Sequence, residues 1–398
     1  MRILLCNNFV RGGSGIDEVV RQEMAVLQGA GHEVVLMDFS NRMWDEADWF
    51  GKIRLASATL YSCRAKRQVR ELLKIHQFDV IHVHNVVPFM TDSIFDAMSA
   101  FNGIVVQHLH NYRFFCPSSY AFRSGRPCRS CRWCWDLSCV WFRCYRKSYA
   151  ASLGLVASRW ISAGRRVLWR REPDVYLAVS EAIKEAYVRE GLPAGKVMVM
   201  PNPARDLSCD ETRGTGRKRK LVFVGALLEA KGVLLLPALA KLLPGYQIHI
   251  IGAGEDENRL REAVRLAGGG NVNIHGVAEG RELCGLWSDA FLTLVPSLWA
   301  EPFGLVAVES FSMGIPVVTT GQGALSGLVV DGETGLVDSF AELPQVAGRI
   351  EVLWNDERRY LAISARVRSV YKENYSPERF GQRLVELIET FKGRCLCA

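Results

Sequence analysis

The stretch AFLTLVPSLWAEPFGLVAVESFSMGIPVVTT, running from Ala290 to Thr320, decides the fold. It opens on a short apolar run, AFLTLVPS, turns through LWAEPFG, continues at helical spacing through LVAVESFSM, and closes on a second apolar run, IPVVTT. Short apolar runs ending in polar residues suit strands buried on both faces of a parallel sheet, with a helix as the crossover. The same stretch sets Glu301 in the loop and Glu309 behind the buried-looking run LVAV. A carboxylate is costly to bury unless something polar meets it.

Working outward, the unit repeats. KLVFVGALL, YQIHIIGAG and VNIHGV precede the stretch, each separated by helix-like sequence. In the first half RILLCNN, EVVLMDF, DVIHVHN, GIVVQHLH, DVYLAVS and KVMVMPN have the same character. IDEVVRQEMAVLQGAGH lies between the first two as a helix, with Gly29 and Gly31 as stop signals. The pattern lapses at the polar, basic RDLSCDETRGTGRKRK. The expected class is α/β, with two doubly wound, Rossmann-like domains in tandem and a cleft at their carboxyl strand ends. The domains are read as 1–204, carrying a Cys/Arg-rich insert at about 113–171, and 220–374, joined by a linker at 205–219. A final amphipathic helix at 375–392, SPERFGQRLVELIETF, starts with a Ser cap and a Pro at its first position. It is read as crossing back to the first domain.

Composition agrees with a globular protein of two domains. The chain has 398 residues, 49% hydrophobic and 23% charged, and no apolar run near the ~20 residues a membrane span needs. MRILLCNNFV reaches Asn7 before a leader core forms, so the expected location is cytoplasmic, and the twelve cysteines are expected as thiols or metal ligands. The net charge of +7 is uneven, with Asp136 the sole carboxylate between Arg113 and Arg171. Such an excess favours an anionic partner.

Placed on this scaffold, LWAEPFG is the loop after a strand and the helix starts near Gly304. The first-turn amides of Phe303, Gly304 and Leu305 are unpaired by the helix and lie at its positive end, which makes an anion site. A phosphate flanked by two acceptors of hydroxyl groups describes a sugar nucleotide. Glu309 is assigned the ribose diol, and Glu301 the hydroxyls of the transferred sugar.

At these residues the chain resembles the retaining glycosyltransferases of the GT-B family four, whose paired glutamates match EPFGLVAVE. FVGALLEAKG resembles that family's donor-diphosphate segment, which gives Lys231 the diphosphate and puts Ala226 where the family has an arginine. PNP at 201–203, VSEAIKE and GHEVVLM are similar to further family segments. The resemblance implies that His110 contacts the donor sugar near the reacting carbon, that His84 matches a neighbouring position, and that Gly12 and Gly13 form a donor-contacting loop. For these glycines a plain strand-to-helix turn is an equal reading, and for either histidine a buried ring satisfied by backbone is the commoner fate. The implied enzyme moves a sugar from a UDP- or GDP-sugar to a hydroxyl of a saccharide or lipid-linked acceptor, with no metal needed for chemistry. His110, Glu301 and Lys231 are its catalytic candidates.

CPSSYAFRSGRPCRSCRWCWDLSCVWFRC puts six cysteines in one loop, and its C-x-x-C knuckles suit tetrahedral zinc. The resemblance picks Cys116, Cys128, Cys131 and Cys144 as a structural zinc set, with free thiols as the equal alternative. SLGLVASRWISAGRRVLWRRE interleaves arginines with Trp160 and Trp169. It reads equally as a helix on an anionic membrane surface at the inner face of the plasma membrane or as a core helix with a basic outer side. Two competing functions share the sequence: a zinc-stapled nucleic-acid binder on a degenerate scaffold, and a sugar-nucleotide epimerase. No complete nucleic-acid-reading motif accompanies the arginines, so no nucleic-acid partner is expected.

Overall fold

The computed structural model describes residues 1–9, 14–40, 48, 55, 57–131, 136–166, 172–208 and 218–395, with 40, 162–166 and 393–395 as backbone alone. Gly12 and Gly13, Cys134, Trp169 with its neighbours at 167–171, and 209–217 of the linker lie outside the described residues. The chain divides into two compact units. The first holds Met1–Ala121, Cys128–Pro203 and Phe380–Ala398, and the second Phe122–Pro127 and Ala204–Arg379.

The first unit is built on a six-stranded sheet in the order β2-β1-β3-β4-β7-β8. Its strands are β1 (Arg2–Phe9), β2 (Glu33–Ser40), β3 (Val80–Val83), β4 (Ile104–Leu109), β7 (Val175–Ala178) and β8 (Val197–Val199), and every pairing is parallel. β3 and β4 are buried at every residue, which is why they read as unbroken apolar runs. Side chains alternate between two cores. Leu4, Cys6, Ile81, Val83 and Val105 enter one, and Ile3, Leu5, Val80, Ile104 and Val106 the other. The second core is closed by Leu27 of the helix Gly15–Gly29 and by Phe380, Leu384, Leu387 and Ile388 of the C-terminal helix Pro377–Cys395. Ser14 caps the first helix by accepting from the Asp17 amide at 3.2 Å. A two-stranded hairpin, β5 (Phe122–Arg123) with β6 (Arg126–Pro127), stands apart from both large sheets.

The second unit repeats the wiring with β11-β10-β9-β12-β13-β14, again all parallel. These strands are β9 (Lys220–Val224), β10 (Gln247–Ile251), β11 (Val272–Gly276), β12 (Leu292–Val295), β13 (Val317–Thr319) and β14 (Gly335–Val337). The strand order reverses between β1 and β3 in one sheet and between β9 and β12 in the other. Open α/β sheets bind ligands at the carboxyl ends of such pairs.

Candidate active site

In the second unit two loops meet at the reversal point. The loop after β9 holds Gly225 to Lys231 and the loop after β12 runs from Pro296 to Glu301. Ala230 carbonyl oxygen accepts the Leu298 amide at 2.8 Å and the Trp299 amide at 3.3 Å, which zips the loops together. Gly232 sits at φ +73, and a Cβ there would strike the Pro296 carbonyl, so only glycine lets the loops approach so closely.

This brings Lys231 to Glu301. Lys231 Nζ donates to Glu301 Oε1 at 2.5 Å and lies 5.0 Å from the centre of the Trp299 ring. Ser297 Oγ and Trp299 Nε1 donate to the same oxygen, at 2.7 and 2.9 Å. Glu301 is 4% exposed, so the carboxylate is buried in the way burial permits, with a cation and two neutral donors on it. All three bonds land on Oε1, which leaves Oε2 as the oxygen with no partner among the described residues. The backbone of Glu301 is pinned as well, its carbonyl accepting the Ala324 amide at 2.8 Å.

The helix Leu305–Ser312 follows directly. Its cap, Gly304, has φ +90, and a Cβ there would come within 2.7 Å of Leu325 Cδ2. The helical bonds begin with Ala307 and Val308 donating to the Gly304 carbonyl. The amides of Phe303, Gly304 and Leu305 have no acceptor among the described residues, and they carry the positive end of the helix dipole. Glu309 lies in the helix and is half-buried, while Ala307, Val308 and Phe311 face the core. Phe303 packs edge-on against Tyr375, ring centres 5.9 Å apart. The strand, loop and helix from β12 supply open amides and two carboxylates, and the loop after β9 adds the cation of Lys231. It can hold an anion and accept from hydroxyl groups at once.

The first unit carries a different chemistry at its reversal point. His82 and His84, and His108 and His110, extend the ridge of Val80 and Val106, so all four rings gather on the side of the sheet covered by the helix Gly15–Gly29. Ring centres of His82 and His84 are 4.2 Å apart, as are those of His108 and His110. Gln107 Nε2 donates to the carbonyls of Val83, His84 and His108, at 3.2, 2.9 and 3.0 Å, and locks the two strand ends in register. Glu23, fully buried on the covering helix, takes His82 Nδ1 on Oε1 at 2.6 Å and lies 3.2 Å from His84 Nε2 through Oε2. His84 Nδ1 in turn lies 2.9 Å from His110 Nε2.

Burial governs the protonation here. It pushes the Glu23 carboxyl up, but the attraction and hydrogen bonding of the imidazoles facing it, His82 first and His84 second, more than reverse that and hold it well below the usual carboxylate range. Burial first, and neighbouring imidazoles second, push His84 down and His108 and His110 well down, so these rings are neutral. A cavity of ≈ 160 Å³ opens beside them, lined among others by His84, His110, Asn111, Arg113 and Arg159. Glu23, His82, His84 and His108 also present ligand atoms within 4.8 Å of one another, a donor set able to hold a metal ion.

Sequence reasoning missed Glu23, Ser297 and Trp299. Glu23 had a signal, since it falls between Val20 and Leu27 in the buried stripe of its helix. The cysteine insert is described in part, with Cys134 outside the described residues. Among the described residues no three of Cys116, Cys128, Cys131 and Cys144 come together as ligands. Cys131 instead shares a hydrogen bond with Cys139, which keeps the Cys131 thiol protonated and lowers Cys139. Sequence spacing sets which thiols are neighbours in the chain, and the loop's path sets which meet. The basic helix is present as Tyr149–Arg166 with Ser152, Leu155 and Val156 buried, and among the described residues no helix is long and apolar enough to cross a membrane.

Known proteins share these features. Residues 13–205 match the model Glycosyltransferase Family 4, and residues 210–370 match Glycosyl transferases group 1. An uncharacterised 41.2 kDa protein of the Klebsiella pneumoniae cps region is 24% identical over 77% of this chain and 82% of its own length. The D-inositol 3-phosphate glycosyltransferase of Arthrobacter sp. is 34% identical over a shorter span, 35% of each chain. The capsular polysaccharide biosynthesis glycosyltransferase CapM of Staphylococcus aureus is 27% identical over 42% of this chain and 45% of its own. Among solved structures, HepE of Anabaena in complex with UDP and glucose superposes with a TM-score of 0.66 at 17% identity, over 98% of this chain and 100% of its own. Sucrose-phosphate synthase of Thermosynechococcus elongatus gives a TM-score of 0.70 at 17% identity, over 99% of this chain and 100% of its own. With the two parallel sheets and the two family models spanning most of its length, the chain belongs to the group 1, family 4 glycosyltransferases, enzymes of GT-B fold that use nucleotide-sugar donors.

Proposed function

We propose that the chain is a retaining hexosyltransferase that moves a sugar from a UDP- or GDP-sugar to a hydroxyl of a saccharide or lipid-linked acceptor. One observation carries the reading: Lys231 Nζ lies 2.5 Å from the buried Glu301, beside a helix start whose amides have no acceptor among the described residues. In this reading the donor diphosphate binds Lys231 and the amides of Gly304 and Leu305, Glu309 accepts from the ribose diol, and Glu301 Oε2 accepts from the sugar. His110 is assigned to the sugar near its reacting carbon. The bond from the anomeric carbon to the phosphate oxygen breaks, the acceptor oxygen bonds to that carbon, and the acceptor's proton passes to the leaving phosphate. Charge develops on the diphosphate, so fixed dipoles and a cation aimed there supply the largest share of the rate.

The capsular context of the Klebsiella relative and of CapM supports an acceptor in surface polysaccharide synthesis. HepE was crystallised with UDP-glucose, which makes UDP-glucose the first donor to try. A lipid-linked acceptor would place the enzyme at a membrane surface. The insert supports that, with Trp141 77% and Tyr149 57% exposed and Arg143 stacked on Tyr149 at 5.3 Å. The test is product analysis. Purified protein is incubated with UDP- and GDP-hexoses and a lipid-linked or saccharide acceptor, and the anomeric configuration of the product is read by NMR. Transfer with retention supports the proposal; an epimerised donor with no transfer ends it.

A further inference from the structure

The buried chain from Glu23 to His110 has a direction. Glu23 is an anion, so it accepts hydrogens and donates none. Facing it, His82 Nδ1 is hydrogen-bonded to Oε1 at 2.6 Å. His84 Nε2 lies 3.2 Å from Oε2, both atoms buried with no hydrogen-bond partner among the described residues. A bare nitrogen lone pair turned to the carboxylate there would be repelled, which places the hydrogen of His84 on Nε2. A neutral imidazole has one N–H, so His84 Nδ1 is then a bare acceptor. It lies 2.9 Å from His110 Nε2, which must be the donor of that bond. The hydrogen of His110 is thereby fixed on Nε2, and its Nδ1 is left as an acceptor. That atom is buried and has no partner among the described residues. His110 itself lines the cavity described above.

We propose that Glu23 is a positioning residue which, through His84, fixes the ring orientation and tautomer of His110 so that Nδ1 accepts a hydrogen bond from a sugar hydroxyl. The idea rests on the reading of His110 as the sugar-contacting histidine. A buried carboxylate orienting an imidazole through its far nitrogen is a recurring device, and here the device is lengthened by one ring. A metal ion among the same side chains is the rival arrangement. Tetrahedral zinc with bonds of ~2.0–2.1 Å holds its ligand atoms about 3.3 Å apart. Within that donor set the contact Glu23–His82 at 2.6 Å is too short for two ligands of one ion and has the length of a hydrogen bond.

The first readout needs no substrate. In protein labelled with ¹⁵N-histidine, the ring nitrogen shifts report which nitrogen carries hydrogen. His84 and His110 are expected as single neutral tautomers with hydrogen on Nε2, assigned by loss of each signal in His84→Phe and His110→Ala. A hydrogen on Nδ1 of either ring near neutral pH would overturn the relay, as would stoichiometric zinc in purified protein. The second readout is kinetic. His82 also contacts Glu23 but has no hydrogen bond to His110, so His82→Phe serves as the background in which Glu23 faces His84 alone. Adding Glu23→Met, which replaces the carboxylate by an apolar chain of similar length, should lower kcat roughly 10–100-fold with little change in donor KM. It should also leave His110 without a single tautomer. Equal kcat for the single and double variants would overturn the proposal. Full activity of His110→Ala would instead sink the role given to His110, and the tautomer measurement would still decide the relay.

Discussion

At the carboxyl ends of β3 and β4 the protein relies on side chains, four imidazoles and one carboxylate, all at least nine-tenths buried. At the carboxyl ends of β9 and β12 it relies on backbone. Gly232 and Gly304 hold positive φ, helix amides are left open, and Lys231, Glu301 and Glu309 supply the charge. Both ends belong to sheets of the same wiring. The difference teaches that identical topology sets where chemistry sits and leaves its kind to a few residues. The first unit has groups that hold and orient protons, whereas the second has a fixed positive field suited to a phosphate.

The strongest way to break this comparison is to remove the cation. Lys231→Ala should lower kcat/KM by roughly 100-fold or more if the lysine stabilises leaving charge, with Glu309→Ala comparable through the lost ribose contact. Steady-state assays with a nucleotide sugar check both. Near-normal turnover would take the donor site away from the second unit.

Next comes the backbone that places the cation. Gly232→Ala forces an L-residue to φ +73 and sets a methyl against Pro296. The conformation alone costs about 1–2 kcal/mol, which corresponds to roughly 2–8 °C in Tm for a unit of this size. Thermal unfolding tests it, and an unchanged Tm would mean that the loop relaxes freely.

Acid sharpens the contrast between the units. For a histidine whose folded pKa lies below its ordinary 6.5, the folded state binds fewer protons than the unfolded one, so its stability is full above that value and is lost as pH falls beneath it. Glu23, held below its ordinary 4.5, acts in the same direction at lower pH. Peptides from the helix Gly15–Gly29, β3 and β4 should therefore lose hydrogen-exchange protection below about pH 6.5. Peptides from β9, β12 and the helix Leu305–Ser312 should change less over the same range. Equal loss in both sets would remove the distinction.

The smallest expected effect is a gain. Ala226 is exposed at the turn after β9, where the family resemblance has an arginine. Ala226→Arg should tighten diphosphate binding roughly two- to fivefold, the scale of one exposed charge pair. Weaker binding would show that the turn has been rebuilt around alanine.

The fold class was legible because the central strands of both parallel sheets are buried on both faces, so they stand out as apolar runs between helices. β14 and the β5–β6 hairpin were not, since their few residues sit among polar and turn residues with no apolar run to mark them. At the site, Glu301 and Glu309 share one motif and could be read together. Lys231 lies 70 residues from Glu301, and only the family resemblance linked them before the loops were seen to meet. Glu23 and His82 are 59 residues apart, and no local pattern says that a helix carboxylate will cover a strand end. The cysteines are a different case, where the spacing offers a zinc set and free thiols equally and the described residues bring Cys131 to Cys139.

The central claim is that the second unit binds the diphosphate of a nucleotide through Lys231 and the amides of Gly304 and Leu305. Titration calorimetry with UDP and GDP, on the wild type and on Lys231→Ala, tests it most directly. The account predicts saturable binding of at least one of them by the wild type and a large loss in the variant. No binding of either nucleotide, or equal affinity in both proteins, would contradict it.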